Sequence, residues 1–334
     1  MYLTPKGNWF PVLLLLAVAA VVTWKLEEAS LKQVKQQAHP ALPLNWQAPS
    51  LYLDYKLEGP EREQVIYGEE LITHTSRYFG PTGSIAPLTN GMNCQNCHLD
   101  AGTRTWGNNY GAVAATYPKF RDRSGTLETI AKRVNDCFER SLNGSPIDTA
   151  GKEMQAIVSY IKWIGQDVPK GTKPEGSGIR ELNYLTRAAD PQKGKILYQS
   201  SCQSCHGASG EGLLSPNGNE YAYPPLWGPH SYNTGAGLYR LSRFAGYIKD
   251  NMPFNQSSHQ SPALTDEAAW DLAAFVNSQP RPGKDLQKDW PDISKKPIDH
   301  PFGPYADGFS EKQHKYGPFD PIIAARKSAA QKKN

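Results

Sequence analysis

The chain has 334 residues, 39% of them apolar and 20% charged, with a formal charge of +4. That length suffices for two ordinary domains, and the composition is that of a folded globular protein rather than a disordered one. With no Lys/Arg-rich stripe interleaved with aromatics, a nucleic-acid-binding function is excluded, and 27 prolines with 29 glycines point to long irregular connections.

In chain order, residues 9–24, "WFPVLLLLAVAAVVTW", form an apolar run flanked by Lys6 and Lys25. The run is an export signal, shorter than the roughly 20 residues of a comfortable span, as a signal-peptide core is. Tryptophans bracket it at Trp9 and Trp24, and it continues past the only Ala-x-Ala site at Ala17 to Ala19. Those two features weigh towards an uncleaved anchor rather than a cleaved leader. Either way the body of the protein is expected outside the cytoplasm, in the periplasm, after a polar stalk reaching residue 47.

Two pentapeptides dominate the remainder of the chain: "CQNCH" at Cys94, Cys97 and His98, and "CQSCH" at Cys202, Cys205 and His206. Two thiols three residues apart can each form a thioether to the two vinyl groups of one haem, and the adjacent imidazole then reaches the iron. Two covalently bound haem c groups are therefore expected, with His98 and His206 as proximal ligands. A zinc site does not need His directly after the second Cys in both copies, and a redox dithiol needs a βαβ setting that these helical surroundings lack.

The flanks repeat as well. "YGEELITHTSRYF" precedes the first motif and "KGKILYQSS" the second, while amphipathic stretches begin at 151 and 265, which is 53 and 59 residues after His98 and His206. A helix before the haem motif and a longer one at the end is the layout of class I cytochrome c. The expected fold is mainly α, with two such domains in tandem, at 48–166 and 184–280. A linker at 167–183 joins them and a tail runs over 281–334.

Between the motifs, "TRTWGNNYGAVAATYPKFRDRSG" gathers Arg104, Arg121 and Arg123 around Trp106, Asn108 and Tyr110. The fifth cysteine comes next, in "RVNDCFERS". Here Leu127, Ile130, Ala131, Val134, Cys137, Phe138 and Leu142 predict one apolar helical stripe, with Thr126 as N-cap and Asn143-Gly144 as the stop. Cys137 lies 39 residues after His98, where class I cytochromes place the distal ligand. A buried free cysteine acting as a small hydrophobe is the bland alternative. Against it, Arg133 and Arg140 project within about 60° of Cys137 on a helix, as does Ser141. Two guanidinium groups beside a thiol stabilise a thiolate and bind a small dianion placed against the sulfur.

The chain has four methionines. Met92 stands too close to its own motif to reach the far face of that haem, and Met154 reads as core at the start of the terminal helix. Met252, in "KDNMPF", lies 46 residues after His206 and is the expected distal ligand of the second haem. Lys249, three residues earlier, is a possible alternative ligand. The tail is Pro-rich and aromatic, expected as extended chain over a domain surface with disordered last residues, and His300 and His314 in it read as surface residues.

Together, the two CxxCH motifs, "RVNDCFERSLNG", "NMPF" and "KPIDHPFGPYADGFSEKQHKYGPFDPI" resemble the dihaem thiosulfate dehydrogenases. The resemblance implies an enzyme that couples two thiosulfates into tetrathionate, or runs in reverse as a tetrathionate reductase. By that resemblance the first haem is catalytic, with His98 and Cys137 as axial ligands, and Cys137 also carries the reaction. His206 and Met252 would ligate a relay haem that serves a small soluble redox protein such as a cytochrome c. Arg123, Arg133 and Ser141 match the family's anion pocket, and Arg140 joins them on helix geometry. A dihaem carrier without substrate and a dihaem peroxidase are the rival readings, and neither gives Cys137 a role.

Overall fold

The computed structural model describes residue 25 and residues 46–331 except 52, 54, 55 and 217. The apolar run at 9–24 lies outside the described residues, and no described helix is long and apolar enough to cross a membrane. The described residues from Trp46 onward form one compact unit with two hydrophobic clusters, one centred on each half.

The first half is built on α1 (Gly59–Thr73), α2 (Ile130–Arg140) and α3 (Lys152–Ile164). α1 starts with Pro60 in its first turn, where the missing N–H costs nothing. α3 buries Met154, Ile157, Tyr160, Ile161 and Ile164 on one face, and Met154 is 0% exposed, a core residue. α1 and α3 cross at Gly68, where a Cβ would run into the Ala156 carbonyl oxygen and the Tyr160 side chain. The second half repeats this with α4 (Pro191–Ser201), α5 (Leu241–Asn251) and α6 (Asp266–Ser278). There Gly194 of α4 crosses α6 at the Asp271 carbonyl and Phe275. The repeated "YG" and "KG" thus mark the same close helix crossing, made possible by the absent side chain.

Short strands supplement the helices. β1 (Lys119–Arg121) pairs antiparallel with β2 (Thr126–Glu128) just before α2, and β3 (Leu213–Leu214) with β4 (Tyr221–Tyr223) after the second motif. The cap of α2 therefore differs from the expectation. Thr126 pairs with Arg121 in the hairpin, and Thr129 is the N-cap, its hydroxyl accepting from Lys132 N at 3.2 Å. Leu127 consequently points outward at 68% exposure instead of joining the stripe.

The linker is packed rather than free: Trp106 N donates to Gly176 O at 2.8 Å and Asn108 N to Gly178 O at 2.8 Å. The tail differs from the expected extended chain in carrying two helices, α7 (Glu311–Tyr316) and α8 (Asp320–Gln331). Its apolar residues explain this, since Phe319 and Ile322 insert into the second core. His314 and His300 are buried, at 0% and 2% exposure, where surface positions were expected. His314 is sandwiched by Ile298 O and Asp307 and stacks on Tyr305 at 3.7 Å. His300 packs edge-on against Trp290 at 4.4 Å.

Candidate functional site

Each CxxCH motif sits on a tight turn. In the first, Cys94–Asn96 form a 3₁₀ turn capped reciprocally by Asn93 and Asn96, and Cys94 N donates to the buried Thr75 hydroxyl at 3.0 Å. In the second, Gln203–His206 are helical and His206 N donates to Cys202 O at 3.0 Å. Both imidazoles are oriented from behind. His98 Nδ1 bonds Asn108 O at 2.5 Å with the ring stacked on Tyr110, and His206 Nδ1 bonds Pro224 O at 2.9 Å. A carbonyl can only accept, so Nδ1 carries the proton and Nε2 presents its lone pair. Burial pushes His98 down to about 4 and lowers His206 too, which keeps both rings neutral. A neutral imidazole with its Nδ1–H tied to a carbonyl is the form that ligates iron.

Around His206 lies a cavity of about 380 Å3, lined by Cys202, Cys205, Met252, Tyr223, Phe244 and Leu272 among others. The apolar lining, the motif thiols and the Met252 thioether share this one space, which fits a porphyrin. Met252 caps the C-terminus of α5, so the helix delivers it to the cavity lining. Lys249, the alternative ligand, is instead engaged by Leu264 O at 2.7 Å and Asp266 at 2.8 Å. Met92, Cys97 and Leu99, from around the first motif, line this same cavity. The halves therefore meet edge to edge here, with Tyr247 Oη donating to Asn96 O at 3.2 Å.

Cys137 comes to the first motif. It is half-buried on α2 and neighbours the Cys94 and Cys97 thiols, which burial first and the nearby Cys137 after it raise to about 12. Arg133 Nη1 donates to Cys137 Sγ at 3.1 Å, and the sulfur is the largest influence holding that guanidinium protonated. Arg133 also acts on His98, so arginine, spare cysteine and proximal histidine share one neighbourhood. Ser141 follows α2 as its C-cap, one turn beyond Cys137, to whose carbonyl its N–H donates at 2.8 Å. The same end of α2 is held from the second half: Asn233 N donates to Arg140 O at 3.0 Å and Asn233 Nδ2 to Glu139 O at 2.8 Å.

Arg123 and Arg140 converge on a residue that sequence reasoning missed. Asp289 Oδ2 accepts from Arg123 Nε at 2.8 Å and Arg140 Nη1 at 2.7 Å, and Oδ1 from Arg140 Nη2 at 2.9 Å. Burial pushes the Asp289 carboxyl up, but those arginines outweigh it and leave it below its usual value. Arg123 falls to about 10, through burial first and the neighbouring Arg140 second. Of the upstream residues, Arg104 pairs with Asp100 and Arg121 lies near Glu128 and Tyr117. Asp289 stands 149 residues beyond Arg140, so no local pattern pointed to it.

Comparison with known proteins bears on the family and the domain architecture. Residues 86–169 match the family described as SoxA/TsdA, cytochrome c domain, and residues 191–280 match Cytochrome c. A thiosulfate dehydrogenase of Allochromatium vinosum is 40% identical over 219 residues, covering 64% of this chain and 79% of that protein. The chain belongs to the thiosulfate dehydrogenase family. A Psychrobacter arcticus thiosulfate dehydrogenase is likewise 40% identical, over 203 residues, and the match spans 60% of each chain. The solved thiosulfate dehydrogenase TsdBA of Marichromatium purpuratum, in its as-isolated form, superposes with a TM-score of 0.64 at 34% identity. It covers 75% of this chain, which in turn spans 51% of that one. The architecture is thus two cytochrome c domains in tandem, which carry c-type haem, and each family match contains one CxxCH motif.

Proposed function

We propose that this family member oxidises thiosulfate and joins two molecules into tetrathionate, using two covalent haems. The first would be attached to Cys94 and Cys97 and ligated by His98 and Cys137, the second attached to Cys202 and Cys205 and ligated by His206 and Met252. The observation that carries the reading is the Arg133 to Cys137 bond of 3.1 Å beside the first motif. A positive group on that sulfur suits both thiolate chemistry and a dianion brought against it.

When bound, the two haems supply two one-electron acceptors. The chain's own residues do the rest. Arg133, with Arg123, Arg140 and Ser141 nearby, offsets the repulsion between two dianions. The Cys137 thiolate bonds the terminal sulfur of one thiosulfate, giving Cys–S–S–SO₃⁻ with release of two electrons. The terminal sulfur of a second thiosulfate then attacks the outer of the two bridging sulfurs. The Cys–S bond to that sulfur breaks, tetrathionate leaves, and the thiolate is restored with no further oxidant. His206 and Met252 would hold the second haem, which would supply the exit for electrons to a small soluble redox protein through a small, transient interface.

With Cys137 holding the first haem and Met252 the second, the thiolate would lower one potential and the thioether raise the other, which would favour flow outward from substrate. The proposed place is the periplasm, with residues 9–24 as export signal and tether. An anaerobic assay of thiosulfate with ferricyanide tests the reading, with tetrathionate as product and the reverse reaction followed with a reduced dye. Electron paramagnetic resonance should show a low-spin His/thiolate signal. Turnover without that signal would assign the chemistry elsewhere, and neither turnover nor signal leaves a plain electron carrier.

A further inference from the structure

The tail reaches back to the first half at three consecutive residues. Asp289 takes the heads of Arg123 and Arg140. Trp290 N donates to Arg123 O at 2.7 Å while its ring lies 4.7 Å from the Arg123 guanidinium. Pro291 packs against the Gly125 turn of the β1–β2 hairpin. Trp290 holds φ +54, a left-handed conformation costly for a bulky residue, which persists only where its surroundings over-determine it. A segment held by side chain, backbone and ring is fixed in place.

Two guanidinium groups this close repel each other, and each would swing apart without a shared counter-charge. Asp289 supplies that charge. Arg140 is locked by a two-pronged contact through both terminal nitrogens. Arg123 is locked through Nε, which leaves it a donor to spare. Its Nη2 lies 2.8 Å from Asp289 Oδ2 but out of line, and it is buried without a hydrogen bond of its own. An unspent buried guanidinium donor calls for an acceptor. We propose that Asp289 is a positioning residue of the anion site, fixing the aim of Arg123 and Arg140 at the incoming sulfur dianion. This rests on the thiosulfate-oxidising function proposed for the site. The alternative, a carboxylate plug that substrate pushes out, requires the segment to leave, and the hold of Trp290 and Pro291 opposes that.

The experiment compares the wild-type holoenzyme with Asp289→Asn and Asp289→Glu. It reads thiosulfate KM and kcat, and separately the binding of inert sulfate as a second dianion, by competition and by thermal shift. Asp289→Asn keeps the volume and removes the charge. It is expected to raise the thiosulfate KM and the sulfate dissociation constant together, by about tenfold, as loss of charge-assisted positioning does. kcat should move less, and Asp289→Glu should recover part of the binding. Equal or tighter binding of both anions in Asp289→Asn overturns the proposal in favour of the plug, and so does a fall in kcat with KM unchanged. If Asp289→Asn does not fold, Asp289→Ser takes its place, since it also removes the charge: weakened binding of both anions supports the proposal and equal or tighter binding overturns it. Sulfate binding that depends on Asp289 in a protein that fails to oxidise thiosulfate sinks the functional reading and leaves the positioning role standing. A wild-type protein that binds no dianion overturns both.

Discussion

Replacing Arg133 with Met tests whether the guanidinium on Cys137 acts on the substrate. Arg133 donates to Cys137 Sγ at 3.1 Å, and among the described residues no carboxylate forms an ion pair with it. Arg123 and Arg140, by contrast, share Asp289. Arg133 is therefore the arginine whose charge is least offset at the reacting sulfur. A hydrogen bond to a charged group contributes about 1.5–3 kcal/mol, and about 1.4 kcal/mol is tenfold in rate, so Arg133→Met should lower kcat/KM for thiosulfate by about 10- to 150-fold. Met keeps much of the length and apolar bulk, so the helix should survive. Steady-state ferricyanide reduction over a range of thiosulfate gives the ratio, and a thermal melt shows whether the fold is intact. Arg133→Lys should fall between the two, because an ammonium keeps the charge and loses the planar fork. A folded Arg133→Met within threefold of wild type would refute the assignment of that charge to the reaction.

Cys137→Gly should abolish turnover while Cys94, Cys97, Cys202 and Cys205 still hold both haems, seen as covalently retained haem on a denaturing gel; residual activity near wild type rules out the thiolate route. Gly68→Ala and Gly194→Ala each put a methyl into a facing carbonyl, at Ala156 and Asp271, so either should lower stability by about 1–3 kcal/mol or more. Unchanged melting of both variants would show the helix crossings to be looser than described. Asp299 is buried, which pushes its carboxyl up, but Arg240 and Ser242 outweigh this and hold it at about 2. Its folded value lies below the unfolded one, so the stabilisation is present above about pH 4 and is lost as pH falls towards 2. The gap corresponds to about 2 kcal/mol. Denaturant unfolding should therefore separate wild type from Asp299→Asn at neutral pH and bring them together in acid, and a gap that persists at pH 2 would point to packing instead.

The sequence by itself determined the elements whose cause is local. Thiols three apart with an adjacent imidazole can be read as a haem motif in any fold, and the period of apolar residues marked α3 and α6. Cys137, Arg133 and Ser141 sit on one helix and its cap, so their proximity followed from helical spacing alone. The tertiary structure decided what depends on chain return. The α2 cap moved to Thr129 because residues 119–128 form a hairpin, a pairing that periodicity does not reveal. Lys249 was drawn to Asp266, a partner on the next helix. His300 and His314 were buried because the tail folds its own aromatics over both halves. Asp289 met Arg123 and Arg140 across roughly half the chain, where only the closed fold could offset two arginine charges with one carboxylate.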